Sequence, residues 1–405
     1  MRNPRLAIVF LVLTVLIDAM SIGVIIPVMP ALIQEVGGGS DLSSAAVWGG
    51  ILATVFALMQ FLAGPTLGKL SDRFGRRPVL LLSLAFLVID YVILIFAESI
   101  WLLLAARVIG GVTTATIATA NACIADISAP EKKAANFGLL GAAFGVGVVI
   151  GPLLGAVLAE AGTRVPFWAA AALALLNLIF GLVVLPETLK PEKRRRFSWS
   201  EANPFAVLAE VTALKQISRL LIFMFVLECA FVVYPAVWAY YTQFQFDWGP
   251  REVGISLATY GICMAAVQAG LIRILIPRWG ERRCIWAGLG VELIAFLGFA
   301  FITQGWMVFL VIPISALGAV ITPSLQGLMS RAVSDETQGA LQGVITSARS
   351  LAMILGPLVM TMIFRFYTRE EAPIVMAGAP FLLSFLLALG CVGIFASYRM
   401  TKESG

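Results

Sequence analysis

Long apolar runs constrain this chain more than any other feature. Twelve stretches recur: roughly 6–29, 45–67, 78–97, 100–124, 137–159, 165–185, 219–243, 253–276, 284–303, 305–328, 339–364 and 377–398, numbered here as segments 1–12. About 20 apolar residues in a helix cross the hydrocarbon core of a bilayer. A helix satisfies its own backbone hydrogen bonds in lipid, so the pattern predicts an all-α membrane protein. Composition agrees: 60% of residues are hydrophobic, 13% are charged, and mean hydropathy is +0.96. A soluble domain carries about 25% charged residues. Segment 1 contains Asp18 and Pro27 and is followed by further spans, so it is expected to remain a span rather than a cleaved signal.

Placement of charge sets the expected topology. If both termini are cytoplasmic, the inner loops and ends hold 22 Lys and Arg, and the outer loops hold four: Arg164, Arg251, Arg365 and Arg369. That asymmetry is the positive-inside pattern, and it accounts for the net charge of +5 without a nucleic-acid partner. The five cysteines lie in or beside apolar runs, which argues against a disulfide framework. The chain has no histidine, and no zinc-ligand or nucleophile constellation appears, so neither a metal site nor an enzyme is expected.

A shift of 205 residues superposes Pro30 on Pro235, Gly75 on Gly280, Gly138 on Gly343, and Gly151–Pro152 on Gly356–Pro357. One offset held over four regions, six segments apart, predicts two six-helix bundles in parallel repeat. That is the architecture of transporters whose solute site lies near the midplane. The expected divisions are an N-terminal bundle (1–185), a basic cytoplasmic linker (186–218) and a C-terminal bundle (219–405).

Three groups of residues carry the functional expectation. The first is GKLSDRFGRRP (68–78), read as a loop between segments 2 and 3. Gly68 and Gly75 suit close approach and a tight turn. Asp72 can pair with Arg73 or Arg76, a contact suited to being made in one conformation and broken in the other. Asp126 is placed with this latch, and Ser71 joins it through the resemblance below. At shift 205, Arg273–Arg282 keeps Gly280 and arginines but has Pro277 in the place of Asp72. A one-sided latch is therefore expected, with its acid only in the first half. The second group is GAAFGVGVVIGPLLGA (141–156), where small residues favour close packing and Gly151–Pro152 a kink.

The third group is the ionisable residues inside spans: Asp18, Asp90, Arg107, Glu228, Glu292 and Arg349. Each is costly in lipid and is expected to face the interior or a partner. Burial favours a neutral carboxylic acid and a nearby Arg favours its anion, which is the physics of a proton carrier. Coupling and static pairing both remain open for Asp18 and Glu292, and pairing is favoured for Arg107 and Arg349. Polar residues that could line a solute path include Gln60, Thr113, Thr116, Asn121, Gln268, Gln326 and Gln342, with Trp238, Tyr240 and Tyr241 as stacking faces. An interhelical hydrogen bond or a place in the interfacial belt is the competing role for each.

LIDAMSIGVIIPVMP (16–30), GKLSDRFGRRPVLLLSL (68–84), Asp90–Tyr91, the segment 5 glycine–proline motif and QGALQG (338–343) together resemble the tetracycline/proton antiporters of the major facilitator superfamily, over nearly the whole chain. The resemblance implies efflux of a magnesium–tetracycline cation in exchange for protons. It implies that Asp18 and Asp90 serve transport, that Ser71, Asp72 and Arg76 gate the cytoplasmic side, and that Arg107 and Asp126 match charged family positions. Met264 stands where the family often has a segment 8 histidine, and Glu292 replaces a segment 9 aspartate.

The expected protein is thus a proton-coupled exporter in a bacterial-type plasma membrane. Its expected partners are a small-molecule substrate, protons and lipid. It needs no cofactor, with magnesium only as companion to the substrate. Proton coupling is assigned to Asp18, Asp90, Glu292 and Glu228. Gating is assigned to Gly68, Ser71, Asp72, Arg73, Gly75, Arg76, Asp126, Gly151 and Pro152. Substrate contact is assigned to Gln60, Arg107, Asn121, Met264, Gln268 and Gln326. Export of another amphiphilic drug or metabolite, or a non-transporting sensor or scaffold, remain the alternatives.

Overall fold

A computed structural model describes residues 4–39, 41–113, 116–194, 203 and 217–398. Residues 195–202 and 204–216 of the expected linker, and the charges at Arg2, Arg399 and Lys402, lie outside the described residues. Among the described residues every regular element is helical.

Eleven helices among the described residues are long and apolar enough to cross a membrane. One of them, Pro250–Phe301, has 52 residues. At a rise of about 1.5 Å per residue it would measure some 78 Å, against a hydrocarbon core of about 30 Å. It is two spans, divided at Gly280, whose φ of 74° and ψ of 158° are not helical. Segments 8 and 9 are therefore separate crossings, and the twelve expected spans are present. Several run longer than their apolar cores: segment 1 is Pro4–Val36, segment 2 is Leu42–Phe74 and segment 11 is Gln338–Thr368.

The chain forms two compact units. The first comprises Met1–Pro204 and Trp248–Gly261, the start of segment 8; the second comprises Phe205–Asp247 and Ile262–Gly405. In the first unit segment 1 packs on 5, segment 2 on 4, and segment 3 on 6; in the second, 7 packs on 11 and 9 on 12. The apolar cores repeat with the same offset. Leu80, Leu84, Ala120, Cys123, Ile124 and Leu140 are buried in the first unit. Ile285, Leu289, Leu325, Leu328, Met329 and Ile345, each 205 residues on, are buried in the second. Duplication extends to side chains that no motif marks.

Segment 5 (Pro130–Ala159) shows why its glycines matter. A Cβ added at Gly147 would lie 2.6 Å from the carbonyl oxygen of Leu16, and one at Gly155 would lie 2.5 Å from that of Val24. Gly151 abuts the Met20 carbonyl between them. A spacing of four on both helices aligns one face of segment 5 with the backbone of segment 1. Gly141 and Gly145, on other faces, have nothing within 4 Å of such a Cβ. Only three of the five glycines in this motif are contact glycines.

Candidate functional site

The basic motif is not a loop. Segment 2 stays helical to Phe74, segment 3 starts at Arg76 (Arg76–Ile95), and Gly75 alone breaks the path with φ 110° and ψ 160°. Its charged residues sit on two helix ends, where backbone geometry fixes them. Asp72 and Arg76 pair at 2.7 Å across the break, and Arg76 Nε lies 3.3 Å from Asp126 Oδ2 at the end of segment 4 (Ile100–Thr113 and Thr116–Ile127). Arg76 also donates to the buried Ser71 hydroxyl at 3.2 Å. One guanidinium therefore holds three groups on two segments. A cavity of about 320 Å³ opens beside it, lined by Lys69, Ser71, Asp72, Arg76 and Thr119 among others.

Glu187, after segment 6, completes this end. Its carboxylate accepts from the backbone N–H groups of Arg76 at 2.9 Å and Arg77 at 3.3 Å. The first N–H groups of a helix have no partner within it and carry the positive end of its dipole, so an acid placed there caps the helix. A Cβ at Gly75 would collide with that carboxylate. Gly75 is thus required twice, by its φ and by Glu187. Gly68, by contrast, lies within the helix with nothing within 4 Å, so the close approach expected there is not made in this structure. Arg73 lies over the Phe74 ring, its guanidinium carbon 5.1 Å from the centroid.

The expected one-sided latch is also corrected. Gly280 repeats the positive φ of Gly75. Glu281, at the position of Arg76, forms an ion pair with Arg331, at the position of Asp126. The second half keeps the bridge between the same two helix ends with the signs exchanged. Pro277 does stand where Asp72 would fall, and a search for a second Asp at that place overlooks the inversion. The offset itself, applied to Arg76 and Asp126, finds both residues.

The interior acids fall into two kinds. Asp90 is held by Arg107, whose Nη2 donates to both carboxylate oxygens at 2.9 and 3.2 Å, and both residues are buried. The Arg107 guanidinium carbon lies 5.6 Å from the Phe56 ring centroid. Of the two roles open to Arg107, the structure displays the ion pair. Glu228 on segment 7 likewise meets Arg349 on segment 11 at 2.8 Å. Asp18 and Glu292 differ, for both are buried and neither forms an ion pair among the described residues. The Oδ2 of Asp18 is buried without a hydrogen bond there. Tyr91, next to Asp90 in the chain, is buried as well.

Glu292 sits in an aromatic box that sequence reasoning missed. The Tyr234 hydroxyl lies 3.3 Å from Glu292 Oε2 and 2.8 Å from Ser315 Oγ. Tyr234 stacks on Phe296 with centroids 5.7 Å apart, and Phe299 and Phe381 close around it. Nothing in the sequence singles out Tyr234 from other span aromatics; the pairing of segments 7, 9 and 10 does.

The remaining expected solute contacts are dispersed. Gln60 is exposed on segment 2, and Asn121 and Gln326, equivalent under the 205 offset, are half-buried. Met264 is half-buried, and Gln268 is exposed on a π-helical turn, Val267–Leu271, within segment 8. Such turns recur at functional sites in other helices. Tyr241 donates to the Phe299 carbonyl at 2.7 Å, the interhelical role, whereas Thr113 donates to the Ile109 carbonyl of its own helix at 2.8 Å.

Comparison with known proteins places the chain in a family. Residues 11–357 match the Major Facilitator Superfamily. The chain is 39% identical to the class C tetracycline resistance protein of Escherichia coli, over 88% of this chain and 89% of that one. It is 37% identical to the class B protein of the same organism, over 86% of each. It is also 30% identical to the mouse Hippocampus abundant transcript 1 protein, over 80% of this chain and 68% of that one. Among solved structures, the human organic anion transporter MFSD10 (TETRAN) superposes with a TM-score of 0.71 at 24% identity, covering 97% of this chain and 99% of that one. The nucleoside transporter NupG superposes at 0.78 with 12% identity, covering 98% and 100%. At those identities the structural likeness speaks for the fold alone.

Proposed function

The chain belongs to the major facilitator superfamily, and from that premise we propose that it exports tetracycline, as a magnesium complex, in exchange for protons by alternating access. It is a multi-pass membrane transporter and not an enzyme. The proposal concerns its substrate, its coupling ion and its orientation, with both termini in the cytoplasm of a bacterial-type inner membrane.

One observation carries the coupling: among the described residues each unit buries one carboxyl without a cation beside it, Asp18 in the first and Glu292 in the second. An ionised carboxylate in such a place is uncompensated, and a proton or a bound cation compensates it. Two ligands that relieve the same charge compete, and competition for one site is the simplest coupling of opposed fluxes. Asp90, already compensated by Arg107, supports the site rather than carrying the proton in the state shown. Glu228 likewise has a cation, Arg349, beside it. The Asp72–Arg76–Asp126 bridge and its inverted counterpart Glu281–Arg331 serve as latches on the basic face, made when that face is closed and broken when it opens. The segment 1–segment 5 ladder ties those two helices together within the first unit.

Similarity to tetracycline resistance proteins supports the choice of substrate. Met264 and Glu292 depart from that pattern and favour, as a second reading, export of another amphiphilic compound. Reconstitution in liposomes with an imposed pH gradient separates the two. Tetracycline and protons are expected to move in opposite directions when magnesium is present. Flux of a different amphiphile without tetracycline flux selects the second reading, and no gradient-driven flux of any tested solute leaves a sensor or scaffold. Asp18→Asn is expected to abolish coupled transport while the protein remains in the membrane. Undiminished exchange in that variant rejects the proton site.

A further inference from the structure

Among the described residues two acid–arginine pairs lie inside spans, and they are built differently. The Arg107 and Asp90 side chains are 10% and 3% exposed, a closed pair. The Arg349 and Glu228 side chains are 41% and 22% exposed. Glu228 lies ten residues after Ser218 and Arg349 eleven after Gln338, the starts of their helices. At about 1.5 Å per residue that is some 15–17 Å in, near the middle of a core of about 30 Å. Charge at that depth does not face lipid, so the open side of the pair faces a polar path.

The contact itself is slender. Arg349 reaches Glu228 through Nε to one carboxylate oxygen, at 2.8 Å. A guanidinium presents five N–H donors in a planar fork, which matches two oxygens of a delocalised anion. A cross-link whose purpose was to tie segment 7 to segment 11 would do better dry and with both carboxylate oxygens engaged, as in Arg107 and Asp90. Gln342, Thr346 and Ser350, four residues apart on segment 11, are also exposed or half-buried, so polarity continues along that side of the helix.

We propose that Glu228 and Arg349 form a recognition point for a zwitterionic solute. The fork of Arg349 takes a planar delocalised oxyanion, and Glu228 takes an alkylammonium beside it. Without solute the two side chains neutralise each other. With solute each exchanges its partner for the complementary charge. The inference rests on the reading of the chain as a tetracycline exporter, since tetracycline carries an enolised tricarbonyl group next to a dimethylammonium on one ring.

The test compares tetracycline with its 4-dedimethylamino derivative, which keeps the fused chelating rings and loses the ammonium. Proteoliposomes carry the wild type, Glu228→Gln, Arg349→Lys or Arg349→Gln, normalised to inserted protein. The wild type is expected to favour tetracycline in kcat/KM by about tenfold or more, the scale of one charge-assisted hydrogen bond. Glu228→Gln is expected to bring that ratio towards one. Arg349→Lys, which keeps the charge and loses the fork, is expected to raise KM for both compounds by about tenfold or more, and Arg349→Gln by more than that. A cross-link without a recognition role would slow both solutes alike and leave the ratio at its wild-type value in Glu228→Gln, which overturns the inference. A wild type that exports both compounds equally also overturns it and leaves tetracycline export standing. A wild type that exports neither overturns both.

Discussion

Replacing Gly147 by Ala perturbs the closest-packed seam in the first unit. The new Cβ would stand 2.6 Å from the Leu16 carbonyl oxygen and 2.7 Å from the Ala19 Cβ. Ordinary contact begins at about 3.4 Å, so segments 1 and 5 must part locally by about 0.8 Å. Overpacking of this kind costs about 1–3 kcal/mol. Gly145, two residues away on the same helix, has open space at the same point. There Ala is expected to stabilise by up to about 1 kcal/mol through helix propensity. The two substitutions are chemically identical, so their difference, about 1–4 kcal/mol, isolates the seam. Thermal unfolding in detergent, followed by loss of monodisperse protein, gives the order of stability. Transport per inserted molecule gives the functional effect. Gly147→Ala is expected to melt below the wild type and to transport less, and Gly145→Ala to match or exceed the wild type in both. Equal stability of the two variants would falsify the reading of segment 5 as a ladder on segment 1.

The inverted latch predicts a charge-swap rescue. Arg331→Glu sets two acids together and is expected to cut transport several-fold, since a part-exposed pair contributes up to about 1 kcal/mol and its reversal swings roughly twice that. Glu281→Arg with Arg331→Glu is expected to restore most of the rate; a double variant no faster than the single one removes the latch from the second half. Gly75→Ala meets both a positive φ and the Glu187 carboxylate, and is expected to lose several-fold in transport even when inserted. If Glu187→Ala, which removes the colliding carboxylate, does not relieve the defect at all when paired with it, strain at φ alone is the cause. Tyr234→Phe removes the Glu292 hydrogen bond while keeping the ring, and is expected to alter the pH dependence of exchange more than the tetracycline KM. A pH profile unchanged in both Tyr234→Phe and Glu292→Gln makes Glu292 structural.

Spans, duplication and chemical class were legible in the chain because each rests on local or periodic properties. Twenty apolar residues cannot be mistaken for a soluble helix, and an offset of 205 holds whatever the tertiary details. Which residues meet was not legible, because partners lie tens to hundreds of positions apart. Arg107 next to Asp90, and Arg76 between Asp72 and Asp126, involve residues that sequence had marked, and the structure joined them. Glu187 capping segment 3 and Tyr234 on Glu292 involve residues that no motif had marked, and Glu281 with Arg331 a pairing that the repeated motif held only in its offset.

The same division runs through the glycines. Sequence identified segment 5 as rich in small residues, and only packing separates Gly147, Gly151 and Gly155 from Gly141 and Gly145, because a missing Cβ matters only where another backbone arrives. It marked 68–78 as the decisive motif but read helix ends as a loop: one positive φ at Gly75 turns the chain, and segments 2 and 3 remain helical to within a residue of it. Composition and periodicity determined that this chain crosses the membrane twelve times in two related halves. Tertiary structure alone decided which buried acids have a cation and which do not, since compensation of a charge depends on distance in space and not on position in the chain.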